Sequence, residues 1–153
     1  MQELRFKNLL VAVDGSPGSA LALAAAVSAA QRDHARLTLL TVVPDVLTET
    51  TRWGNAAALP TGDLQDDADR MGRETLQDAG REIPQDLPVT LRVRHGKAAA
   101  QIVQEAQETD YDAIVMGARG RSRVGALMGS VSQEVLHHSP TRVFVAHEPA
   151  AAA

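Results

Sequence analysis

The feature that most constrains this chain is a set of continuous apolar runs, each ending in turn-forming residues. Asn8–Val13 (NLLVAV) stops at Asp14-Gly15-Ser16-Pro17, Leu37–Val43 (LTLLTVV) stops at Pro44, and Ala113–Met116 (AIVM) runs into Gly117. A strand with one wet face alternates apolar and polar residues. Continuous apolarity means burial on both faces, the condition of a parallel sheet covered by helices.

Between these runs the period changes. Pro17 after Ser16 predicts a helix start, and the Ala-rich stretch continues it to about Arg32. Apolar positions 64, 68, 71, 76 and 79 predict a second helix, closed by Pro84 and Pro88. Ala99, Ile102, Val103 and Ala106 predict a third, and Val131, Val135 and Leu136 a fourth. Val89–Val93 alternates (V-T-L-R-V), which predicts an exposed strand at a sheet edge, and Arg142–Ala146 (RVFVA) predicts the last strand. Thr48–Gly62 has no period and reads as a long, mobile connection; Glu148–Ala153 reads as a frayed tail. The fold class is therefore α/β: one domain over 1–153, with a core of about 7–147 and an open sheet with right-handed crossovers.

Composition narrows the function. The chain has 153 residues, 44% of them hydrophobic, enough for one buried core. Aromatics are 3%, namely Phe6, Trp53, Tyr111 and Phe144, so the core is expected to be aliphatic. So few rings, with a net charge of −4, argue against a nucleic-acid partner. The absence of cysteine excludes disulfides, thiol catalysis and thiolate metal sites. Leu9–Val13 is too short for a leader, and Ala20–Ala30 is too short to span a bilayer. A soluble, cytoplasmic protein with no membrane partner is expected.

In an open α/β sheet, ligands bind beyond the carboxyl ends of the strands, where strand order reverses. Two segments sit at such ends. One is Asp14-Gly15-Ser16; the other is Gly117-Ala118-Arg119-Gly120-Arg121-Ser122-Arg123, followed by Gly129-Ser130. Glycines admit positive φ and let backbone amides converge. A following helix start adds free N–H groups, and Ser130 with Gln133 reads as a capping box. Arg119, Arg121 and Arg123 add positive charge. This chemistry suits a phosphate chain, and it equally suits a tight turn at a crowded strand exit. Asp14 is similarly two-sided: it could meet ribose hydroxyls or a metal, or cap the first helix. Neither G-x-x-x-x-G-K-[ST] nor G-x-G-x-x-G occurs.

The opening NLLVAVDGSPGSALAL and the stretch YDAIVMGARGRSRVGALMGSVSQEVLHHSPTRVFVAH resemble the two signatures of the universal stress protein family. Their separation matches too, so the resemblance spans about Lys7 to His147. It implies a single Rossmann-like domain with five parallel strands in the order 3-2-1-4-5 and helices on both faces. ATP-binding members carry G-2x-G-9x-G-(S/T). Gly117 and Gly120 match the first pair and Gly129-Ser130 the last, with eight residues (RSRVGALM) in place of nine.

By this resemblance Ala12, Val13 and Asp14 contact base and ribose, and the backbone of Val42 recognises adenine. Met116 and Gly117 flank ribose and phosphates, and Gly120, Gly129, Ser130 and Val131 cradle the phosphates. Arg119 falls in the variable part of the motif. The implied cofactor is ATP, with Mg or Mn as a candidate divalent cation. The implied assembly is a homodimer paired through Arg142–Ala146. The implied function is a regulatory or stress-response module, with at most slow ATP hydrolysis because no general base stands out. One rival is a family member that has lost nucleotide binding and serves as a protein-interaction module; the shortened motif favours it. Another is an enzyme of the wider adenine nucleotide α-hydrolase-like group, opposed by the lack of S-G-G-x-D-S after the first strand.

The remaining polar residues carry less. His34, His95, His137, His138 and His147 show no metal-ligand spacing, and His137 or His138 suits a helix C-terminus. Asp66, Asp67 and Asp69 read as a solvated helix face. Ser122, Ser130 and Ser132 are conceivable phosphoacceptors. No G-x-S-x-G elbow occurs.

Overall fold

Leu9 and Leu10 are adjacent in sequence and both fully buried, because the strand that holds them has a helical layer on each side. A computed structural model describes residues 3–52, 61–118 and 128–148. Strands β1 (Asn8–Ala12), β2 (Arg36–Val43), β3 (Val89–His95), β4 (Ala113–Gly117) and β5 (Arg142–Ala146) form one parallel sheet in the order β3-β2-β1-β4-β5. The helices are α1 (Pro17–Asp33), α2 (Val46–Arg52), α3 (Thr61–Arg81), α4 (Ala98–Glu108) and α5 (Ser130–His138).

The two-residue period of a strand divides the core. Leu9, Val11, Leu37, Leu39 and Val115 face α1 and α3. Leu10, Leu40, Ile114 and Met116 face α4 and α5. On α1 the buried residues include Ala22, Ala26 and Ala30, spaced by four, so its backbone lies close to the sheet. Ser16 starts this helix, its Oγ accepting from Ser19 N at 3.1 Å. His34 ends it in the left-handed region, at φ 58°.

The stripe expected along α3 is only half right. Leu76 and Ala79 are buried, but Leu64 is 40% exposed and Met71 50%. The residue facing the sheet is Gly72, where a Cβ would lie 2.5 Å from Val43 Cγ2. A hydrophobic pattern misses it because glycine has no side chain to count. Gly72→Ala is therefore expected to destabilise the protein by about 1–2 kcal/mol net, overpacking outweighing the gain in helix propensity. Urea unfolding checks this.

The connection expected from Thr48 is also different. Residues 46–52 are helical, and Asp45 Oδ1 accepts from Thr48 N at 3.2 Å, so a local cap supplies the signal that periodicity lacked. Residues 53–60 of that connection lie outside the described residues. Of the apolar residues that predict the last helix, Val135 is buried and Leu136 is exposed.

β3 lies at the sheet edge, as its alternation predicts. One of its faces carries Arg92 and Arg94, which donate to the two oxygens of Glu105 on α4. Tyr111 Oη donates to Glu105 Oε1 at 2.8 Å. Burial pushes the Glu105 carboxyl up, but the Tyr111 hydroxyl and the two guanidiniums outweigh it and hold it below the usual range. This cluster seats α4 on the sheet. Among the described residues no helix is long and apolar enough to cross a membrane.

Candidate functional site

β1 and β4 are neighbours, Leu9, Leu10 and Val11 lying beside Ala113, Ile114 and Val115. The helix after β1 packs on one face of the sheet and the helix after β4 on the other. A crevice opens where those connections diverge. It holds a hollow of about 150 Å³, partly open to solvent. Ala12, Val13, Asp14, Val42, Met116 and Gly117 line it from the strand ends, and Gly129, Ser130 and Val131 from the start of α5. Arg119 and Gly120 lie outside the described residues, as do Arg121 and Arg123.

The β1 exit is tied down on both sides. Val13 N donates to Leu40 O at 2.8 Å, and Thr41 Oγ1 donates to Val13 O at 2.9 Å. Gly15 then turns the chain at φ 79°. Asp14 Oδ1 accepts from Ser16 N at 2.9 Å. Asp14 therefore does not cap α1; Ser16 does. One carboxylate oxygen fixes the turn, and the turn does not use the other.

The β4 exit needs glycine for space. A Cβ at Gly117 would lie 2.6 Å from the carbonyl carbon of Gly18, in the first turn of α1. Of the glycines at the two exits, Gly15 has the positive φ expected, whereas Gly117 does not and Gly129 sits at φ −73°; Gly120 lies outside the described residues.

The capping box expected at Ser130 and Gln133 is not formed. Gly129 is the N-cap, Ser130 is already helical, and among the described residues no side chain caps the helix. Gln133 Nε2 donates instead to Met128 O at 3.3 Å. A side-chain cap would have occupied the first-turn amides. Without one, α5 presents those amides and its positive dipole end to the hollow. Ser16 and Ser19 bring the α1 start to the same space.

The sequence reasoning missed part of the lining. Ala98 and Ile102 of α4 form an aliphatic wall next to Val42 and Met116. Their pattern is that of core residues, so nothing marked them. Ser132 also lines the hollow and was noted only as a phosphoacceptor. Asp14 is the carboxylate that the lining supplies, and among the described residues no three His, Cys, Asp or Glu groups converge for a metal. One carboxylate suits Mg only where phosphates of a ligand complete its shell.

The family model of the universal stress protein family matches residues 5–147. The chain belongs to the universal stress protein family. The universal stress protein YxiE of Bacillus subtilis is 30% identical over 145 residues, covering 92% of this chain and 98% of its own. The structure of the universal stress protein UspA from Lactobacillus plantarum superposes with a TM-score of 0.72 at 29% identity, over 95% of this chain and all of that one. A universal stress protein solved in complex with cAMP superposes with a TM-score of 0.59 at 25% identity, over 94% and 98% of the two chains. Between Gly120 and Gly129 this chain has eight residues, where the ATP-binding pattern it resembles has nine. Across that gap Gly129 N donates directly to Ala118 O at 2.6 Å.

Proposed function

We propose that this universal stress protein binds ATP in the hollow between β1 and β4. Mg or Mn would join Asp14 to the phosphates. The observation that carries this reading is the set of uncapped α5 amides sharing one hollow with Asp14. The aliphatic wall of Val42, Ile102 and Met116 suits a flat base, with polarity left to the backbone. A family relative in complex with cAMP supports an adenine nucleotide. Hydrolysis is at most slow, because the described lining offers neither an imidazole nor a second carboxylate to activate water. The protein acts as a regulatory stress-response module in the cytoplasm, where ATP is abundant. The shortened motif favours the rival reading, a nucleotide-free interaction module.

Mass analysis of small molecules released on denaturing the purified protein separates the two. Bound ATP, ADP or AMP is expected. No released nucleotide, together with no heat on titrating ATP, overturns the reading.

The same proposal includes a homodimer through β5. Among the described residues this strand is an unpaired edge of the sheet, and Phe144 is 41% exposed although its ring meets Phe6 edge-to-face at 5.6 Å. Phe144→Asp brings like charges together across a two-fold axis. Its mass by light scattering is expected to fall from twice 16.3 kDa to 16.3 kDa. An unchanged dimer would place the interface elsewhere.

A further inference from the structure

Ser132 is 2% exposed and lines the hollow, yet its hydroxyl is turned to the protein. Its Oγ lies 2.8 Å from Ala118 O and 2.9 Å from Gly129 O. A hydroxyl has one proton, which these two carbonyls share. Ala118 O also accepts from Gly129 N, and Ala118 N donates to Ala146 O at 2.8 Å. One buried side chain therefore joins three backbone points: the exit from β4, the return at Gly129 and the first turn of α5.

We propose that Ser132 is the positioning residue of the phosphate site. It fixes the α5 amides relative to Asp14, whatever the number of residues between Ala118 and Gly129. A side chain at the N-cap would bond the first-turn amides and block them. Ser132 works from the third helical position and bonds carbonyls, so the amides stay open to an anion. On this account a motif one residue short would keep the α5 amides in place, because the junction is set by contacts at the two ends of the segment. The inference rests on the nucleotide reading of the same hollow.

The test uses the full chain with Ser132→Ala, and Ser132→Cys in case the first folds poorly. A nucleoside meets the strand ends, whereas a phosphate chain needs the α5 amides. Calorimetric titration is expected to show ATP affinity falling about tenfold in either variant, with adenosine affinity held within about twofold; a tenfold change corresponds to 1.4 kcal/mol. Hydrogen exchange without ligand is expected to speed up several-fold at the Gly129 amide. A merely structural role would weaken ATP and adenosine alike. Equal losses, no loss, or unchanged exchange at Gly129 overturn the role of Ser132 alone. Wild-type protein that binds no ATP overturns it together with the reading it rests on.

Discussion

Gly117→Val is expected to cost about 3 kcal/mol of stability, the upper end of the range for overpacking. A Cβ at this position meets the backbone of Gly18: the carbonyl carbon at 2.6 Å, and Cα and O at 2.9 Å. Backbone cannot swing aside as a long side chain can. The first turn of α1 is also held where it is, by the Ser16 cap and by Asp14 on the Ser16 amide. Relief would require β4 and α1 to separate, opening the core that Val115 shares with Ala22 and Ala26. For a chain of this size the loss is a fall of roughly 6–12 °C in melting temperature. Gly117→Ala meets the same atoms without the γ carbons and should fall by less. A valine variant that melts like the wild type would mean that β4 and α1 do not approach as described. Gly117→Val will also lose any nucleotide affinity, but that loss would report a displaced helix, not a missing contact.

The same residue shows what the sequence makes legible and what it does not. The motif marks Gly117, and strand order places it at the crevice, yet its reason for being glycine is the backbone of Gly18, far from it in the chain. The inner strands were legible because a doubly covered strand must be apolar throughout; the apolar runs at β1, β2 and β4 match the observed bounds to within a residue. The end of α1 was legible to within a residue. Gly72 was not, since a close approach of helix and sheet leaves no hydrophobic mark. Neither was the start of α5: Ser130 and Gln133 have the spacing of a capping box, but the bond from Gly129 to Ala118 sets the helix one residue ahead of it. Glu105 looks like one more surface charge on α4, and only the pairing of β3 with β2 brings Arg92 and Arg94 over it. Of the lining, the residues at strand ends follow from topology, whereas Ala98 and Ile102 depend on how α4 is seated.

ATP at about 100 times its dissociation constant is expected to stabilise the wild-type protein by about 2.7 kcal/mol, because the ligand binds only the folded state. That is a rise of roughly 5–11 °C in melting temperature. Asp14→Ala should lose most of the rise. The substitution also frees the Ser16 amide, costing about 1 kcal/mol without ligand. Comparing each variant with and without ATP removes that cost from the result. Asp14→Asn then separates two roles of one side chain. It keeps an oxygen for the Ser16 amide and puts an NH2 in place of the free oxygen, which can donate to a ribose hydroxyl oxygen, but it loses the charge that a divalent cation needs. If the carboxylate serves the ribose, Asn should retain the response to adenosine and to ATP, and chelating the cation should matter little. If it serves the cation, Asn should retain the response to adenosine alone, and chelation should reduce the wild-type rise to the same level. A melting temperature that moves with neither ATP, ADP nor AMP at millimolar concentration would instead favour the nucleotide-free module, with the hollow an inherited feature of the fold.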